Sequence, residues 1–302
     1  MNQRLEWIDI SKAIAIILMV VGHASIPEVL SNFIWAFHMP LFFVASGWTT
    51  NCEKYGLADF TIRKARRLLL PFVIYSVVVL IIQIIQCWNS WDGFVQHGWI
   101  AYALWFIPVL FLSIFMVKCI YCIECRIIRY AGTLLFLSLG YYLSYNHTIL
   151  PWSLSSVPYA TFMIVIGFEI KNIPCRFIQP RWYVILLLFA ITAAISHFFR
   201  LDMCFNRILP IVPITIAALS GTIMIFMISM LIQKCSKVLS CVLVAIGKET
   251  YIILAFSQIT IMMLNEYFHL NVAVKYLILV VVLVMLKYAK DGVNRMLKTK
   301  LL

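Results

Sequence analysis

The stretch DISKAIAIILMVVGHAS, Asp9 to Ser25, is apolar enough to enter a bilayer, yet it carries Asp9, Lys12 and His23. On one helix, Lys12 and His23 are about three turns plus 20° apart, which puts both on one face with roughly 16 Å between them along the axis. Asp9, one turn before Lys12, falls beside the same stripe. An ionisable group inside a membrane span is costly, so an aligned set of them is read as functional.

The rest of the chain supports the membrane reading. It has 302 residues, 64% of them hydrophobic and 12% charged, and a soluble domain could not build a polar surface from that composition. Apolar runs of about 20 residues, the length that crosses a hydrocarbon core, recur from end to end. They place ten spans near 10–27, 31–49, 68–87, 100–118, 127–145, 152–170, 182–199, 208–232, 246–264 and 272–290. The expected fold is all-α: one polytopic integral membrane helical bundle over 1–302, with no linker, repeat or second domain.

The net charge of +12 raises the question of nucleic acid, and its distribution answers it. With the N-terminus inside, all 24 Lys and Arg except Arg200, Arg207, Lys275 and Lys248 fall at cytoplasmic ends of spans. This is the positive-inside pattern, so both termini are expected in the cytoplasm and no nucleic-acid partner is expected. Glu6 and Asp9 argue against a cleaved leader and for retention of the first span. Cys119, Cys122 and Cys125 have iron–sulfur-like spacing, but Arg129 stands where a fourth ligand would be, so no metal site is expected. Cys87 and Cys204 both fall near the outer face, where pairing is open. Trp88, Trp91 and Trp99 in the connection after the third span read as interfacial anchors or as platforms for a sugar ring.

Two more features carry chemistry. His38, in IWAFHMPLFFVASG, sits just before Pro40, whose missing N–H frees a backbone carbonyl at that depth. The cluster RKARRLLLP, from Arg63 to Pro71, offers Arg63, Lys64, Arg66 and Arg67 to anionic lipid or to a phosphorylated ligand from the cytoplasm. Composition does not choose between these two.

Four stretches together resemble the acyltransferase-3 family of integral membrane O-acyltransferases, in particular its fucose 4-O-acetylase-like members. RLEWIDISKAIAIILMVVGH is similar to the family's first helix, with Lys12 and His23 as its basic residue and histidine. FHMPLFFVASGW, RKARRLLLP and LWFIP (Leu104 to Pro108) are similar to later segments, and IGKETYIILAFSQ is a weaker echo of a C-terminal one. There the chain departs from the pattern, with Ser257 where many members carry histidine.

The resemblance implies transfer of an acetyl group from cytoplasmic acetyl-CoA to a sugar hydroxyl of a lipid-linked or surface glycan (O-antigen, capsule or exopolysaccharide), in a bacterial cytoplasmic membrane. Acetyl-CoA enters as donor substrate, and no permanently bound cofactor is expected. His23 is assigned as the base, with an acetyl-histidine intermediate as the rival mechanism. His38 is its partner, an oxyanion donor or a brace at Pro40. Arg63, Lys64, Arg66 and Arg67 are expected on the CoA phosphates, Lys12 and Asp9 at the entrance, and Trp105 in the cavity wall. The polar stripe is thus expected to line one acyl-CoA channel. The rival class is an exporter of a lipid-linked sugar, which should show paired, interrupted helices in its two halves; the polar signals crowd instead into the first third of the chain.

Overall fold

Long apolar segments have one stable solution in lipid, the helix, because it satisfies every backbone group internally. The computed structural model, which describes residues 5–24, 26–86, 102–172, 179–268 and 270–299, follows that rule. Its α-helices are α1 (Glu6–Gly22), α2 (Glu28–Thr49), α3 (Leu57–Ile85), α4 (Phe106–Tyr121), α5 (Arg126–Tyr145) and α6 (Val157–Ile170). They continue with α7 (Trp182–Phe198), α8 (Ile211–Cys235), α9 (Lys237–Lys248), α10 (Thr250–Tyr267) and α11 (Val272–Thr299). Short 3-10 turns lead into α4 (Tyr102–Trp105) and α6 (Pro151–Ser156).

Within the described residues each expected span overlaps a helix, the ninth overlapping two. Among the described residues, six helices are long and apolar enough to cross a bilayer alone: Glu28–Thr49, Leu57–Ile85, Ala103–Tyr121, Pro151–Ile170, Ile211–Cys235 and Val272–Gly292. The expected ninth span straddles a 75° bend between α9 and α10, and α9 itself was not anticipated. Trp88, Trp91, Trp99 and Cys87 lie outside the described residues.

Helix α2 is the axis of the bundle. α1, α6, α7 and α8 pack around it, and a single apolar cluster joins α1, α2, α4, α6, α8 and α10. Close approach is made by glycine, as expected where helices must gain van der Waals contact without a hydrophobic drive. A Cβ on Gly47 would run into the Ile164 carbonyl, and one on Gly167 into the Val44 carbonyl, so α2 and α6 cross backbone on backbone. Gly247 admits the Asp9 backbone and thereby fixes the end of α9 against α1. The rim is the reverse of a soluble protein's: large apolar side chains on α3, α5, α7 and α11 are exposed, including Ile85, Leu135, Leu187 and Leu277, and they form the surface for lipid tails.

Replacing Gly47 with alanine is therefore expected to cost about 3 kcal/mol, the upper range of overpacking, seen as a lower thermal unfolding midpoint in detergent. Gly132→Ala is the control. Nothing lies within 4 Å of its Cβ position, and alanine should stabilise the helix by up to about 1 kcal/mol. Equal effects of the two would deny the α2–α6 crossing.

Candidate active site

Two cavities enter the bundle from opposite ends and converge on its middle. The first, about 390 Å³, opens at the Lys- and Arg-rich end. α1 contributes Asp9 and Lys12, α3 contributes Lys64 and Arg67, and the α9–α10 corner contributes Lys248 and Glu249, with Lys290 reaching in from α11. Five cations thus face two carboxylates. Lys12 Nζ lies 4.0 Å from Asp9 Oδ1, and Lys290 pairs with Glu249. Lys64 Nζ reaches Thr50 Oγ1 at 3.5 Å, and that hydroxyl donates to the Ser46 carbonyl at 2.7 Å.

The basic cluster divides along its helix. Lys64, Arg67, Leu68, Pro71 and Tyr75 recur at helical spacing and all line the cavity. Arg63 instead stacks on Tyr55, 4.5 Å from the ring centroid, and Arg66 is exposed and outside the lining. The connection from α2 to α3, which carries Tyr55, is held by a buried cation. Lys118 of α4 donates to the carbonyls of Cys52 at 2.5 Å and Tyr55 at 2.9 Å.

The second cavity, about 350 Å³, opens at the other end. His23, His38 and Trp105 all line it, beside Trp35, Asp202, Gln258 and Asn265. Trp35 stands between the histidines, its ring 5.3 Å from His23 and 5.8 Å from His38, both edge-on. Its Nε1 donates to the Gly22 carbonyl at 3.2 Å, and Arg200 stacks over it at 4.4 Å. His38 Nδ1 sits 3.0 Å from the Ile34 carbonyl. A carbonyl only accepts, so this bond places the proton on Nδ1 and leaves Nε2 as a lone-pair nitrogen in the neutral ring. In the neutral ring Nε2 therefore accepts, and only the protonated ring would serve the oxyanion-donor role expected of His38.

The connection between α7 and α8 roofs this cavity. Asp202 and Arg207 exchange backbone hydrogen bonds of 3.1 and 2.8 Å, and Asp202 Oδ1 accepts from the Cys204 and Phe205 amides at 3.0 and 3.4 Å. Ser144 Oγ accepts from the Ile208 amide at 3.3 Å, and Ser156 donates to the Met203 carbonyl, so the roof is fastened to α5 and to the turn before α6. Burial raises the Asp202 carboxyl above its ordinary value.

A thin septum separates the cavities. Ile16 faces the first and Met19 the second on α1; Phe42 and Met39 do the same on α2, as do Leu254 and Gln258 on α10, and the neighbours Phe106, in α4, and Trp105, just before it, divide likewise. On α1, α2 and α10, three or four residues of helix put the two faces about 4.5–6 Å apart. Ser257 lies at this level, fully buried, its hydroxyl without a hydrogen-bond partner. Between Lys12 and His23 the expected path therefore passes from one cavity to the other across apolar side chains, and the two cavities share no lining residue.

Sequence reading missed Trp35, Arg200, Asp202, Gln258, Lys248 and Lys290 as site residues. Arg200 and Lys248 did carry a signal, being exceptions to the charge pattern that orients the spans. Among the described residues, no group of three or more His, Cys, Asp or Glu side chains is placed to hold a metal ion.

The chain is thus a multi-pass helical bundle with a cationic cavity towards one end and a histidine-lined cavity towards the other. The family comparison agrees: residues 5–289 match the acyltransferase domain of the acyltransferase-3 family, and the chain belongs to that family of acyltransferases. Neither the curated proteins nor the solved structures gave a match.

Proposed function

We propose that the protein moves an acetyl group from cytoplasmic acetyl-CoA to a sugar hydroxyl of a lipid-linked or surface glycan at a bacterial cytoplasmic membrane. The observation that carries this reading is the pair of cavities meeting at a septum about one helical turn thick. The positive-inside rule puts the cationic cavity on the cytoplasmic side. Lys64, Arg67, Lys12 and Lys248 suit the phosphates of CoA as charge-assisted donors, and a thin pantetheine arm carries the thioester to the septum. The other cavity has aromatic faces for a sugar ring, at Trp35 and Trp105, and polar groups for its hydroxyls, at Gln258, Asn265 and Asp202.

In the proposed reaction His38 Nε2 accepts a hydrogen bond from the acceptor and orients it. His23 takes the proton as the sugar oxygen attacks the thioester carbon, so that the base acts within hydrogen-bond reach of the proton it removes. The tetrahedral intermediate collapses with cleavage of the C–S bond, and the CoA thiolate recovers the proton from His23. An exporter would need the septum to open wide enough for a sugar headgroup, whereas group transfer needs only the two reacting atoms to meet.

Inverted membrane vesicles supplied with acetyl-labelled acetyl-CoA and a glycan acceptor test the reading. Label is expected in the glycan on the side remote from the added donor. Export of unlabelled glycan, with no label transferred to a verified acceptor, would replace acyl transfer by transport.

A further inference from the structure

A second pair of cavities, remote from the histidines, lies between α5 and α6 at the basic end. These helices touch at their other end, where a Cβ on Gly140 would meet the Tyr159 amide nitrogen at 3.3 Å and Pro158 Cβ at 3.6 Å. From that contact they part, leaving a polar pocket of about 250 Å³ continuous with an apolar groove of about 600 Å³. Arg126, Tyr130, Glu169 and Asn172 line both. The pocket adds Arg129 and Glu53, while the groove runs on past Thr133, Leu134, Phe162 and Val165. Leu134 is 59% exposed, so the groove opens towards lipid.

At the head of this site two cations stand at a helix N-terminus, Arg126 over the Tyr130 ring at 5.5 Å and Arg129 over the Tyr121 ring at 5.3 Å. Arg126 and Arg129 occupy the first turn of α5, which holds no acidic residue and no side-chain cap. Cations at a helix N-terminus oppose the macrodipole, and free first-turn amides add to the positive potential, so an anion there relieves both. Arg126 Nε donates to Tyr130 Oη at 3.0 Å and Arg129 Nη2 to the Glu124 carbonyl at 3.3 Å. The Arg129 Nε–H is buried with no acceptor. Across the pocket are two carboxylates, Glu53 and Glu169. Tyr121 donates to Glu169, which leaves that carboxylate further lone pairs to offer.

Paired guanidiniums beside paired carboxylates, above an apolar slot, have the charge pattern of a zwitterionic phospholipid. We infer that the α5–α6 cleft binds a phosphatidylethanolamine-class lipid, its phosphate on Arg126 and Arg129, its ammonium on Glu53 and Glu169, and one acyl chain in the groove past Leu134 and Val165. An ammonium has three N–H donors for the carboxylates, which a trimethylammonium lacks. Glu53 belongs to the Lys118-held connection whose Thr50 meets Lys64, so the lipid braces the wall of the cationic cavity from outside. The inference does not depend on which group the enzyme transfers.

The test is native mass spectrometry of detergent-purified full-length protein given equal amounts of phosphatidylethanolamine, phosphatidylglycerol and phosphatidylcholine. The native chain should retain phosphatidylethanolamine preferentially. The double variant Arg126→Gln/Arg129→Gln should retain about tenfold less, the loss of roughly one charge-assisted bond. Leu134→Trp fills the groove, keeps every charge and alters an exposed position, so it should lose the lipid too and decides the matter if the double variant does not fold. Glu169→Gln should narrow the preference over phosphatidylglycerol. Phosphatidylglycerol retained as well as phosphatidylethanolamine by the native chain would replace the proposed occupant with an anionic lipid. Equal retention by the native chain and Leu134→Trp would reduce the cleft to ordinary annular contact.

Discussion

His23→Ala should lower kcat for acetyl transfer by about a thousandfold, within the range that a positioned acid–base group supplies, and leave KM for acetyl-CoA nearly unchanged. The split follows from position. His23 lines the cavity away from Lys12, Lys64 and Arg67, with Ile16, Met19, Phe42 and Met39 between it and Lys12, so its loss should remove no contact to the proposed donor. His38→Ala should behave differently. On the proposed reading a ring whose Nδ1 is committed to Ile34 presents a lone pair to orient the acceptor, and its loss should raise KM for the glycan as well as lower kcat. Steady-state kinetics in proteoliposomes, varying each substrate in turn, separates these outcomes. A His23→Ala enzyme with kcat near the native value would remove His23 as base. A loss that appears wholly in KM for acetyl-CoA would place His23 on the donor side and contradict the two-cavity arrangement.

What could be read from the chain follows a physical division. Runs of apolar residues long enough for a bilayer are a property of composition over about 20 positions, so each expected span overlaps a helix within the described residues, and only the ninth is broken between two. α9 escaped because Lys237–Lys248 is short and mixes polar with apolar positions, which linear hydropathy reads as a connection. It becomes a helix because Ile10, Ala13 and Leu243 bury one another and Gly247 lets it lie on Asp9. In the candidate site, Lys12, His23 and His38 were legible because charge within an apolar run is conspicuous by itself. Trp35 looks like any aromatic residue in a span, and only the fold sets it between two histidines, whereas Trp105 was named through the resemblance carried by LWFIP. Arg200 and Asp202 become part of the site because the α7–α8 connection folds back over the cavity, a long-range fact that no local pattern encodes. The septum has the same origin: Ile16, Met39 and Phe106 are ordinary span residues until four elements bring them to one level.

The division of the basic cluster gives the second large expected effect. Sequence offered Arg63, Lys64, Arg66 and Arg67 as one phosphate cradle, but helical rotation turns only Lys64 and Arg67 into the cavity. Lys64→Gln/Arg67→Gln should raise KM for acetyl-CoA about a hundredfold, because two charge-assisted hydrogen bonds to phosphate are each worth roughly 1.5 kcal/mol or more. With saturating donor, kcat should stay close to native, since the phosphates contribute alike before and during the chemical step. Arg63→Gln/Arg66→Gln removes the same net charge and serves as the comparison. Arg63 there gives up a stacking contact with Tyr55 and Arg66 an exposed charge, so KM should rise by no more than a few-fold through the weakened surface potential. Raising salt should shrink the effect of the Arg63/Arg66 pair more than that of Lys64/Arg67, because Arg63 and Arg66 are both exposed and screened over a Debye length, whereas Lys64 is half-buried. Equal effects of the two pairs at every salt concentration would mean that CoA is drawn in by the charge of the whole cluster, and that the cationic cavity does not hold its phosphates.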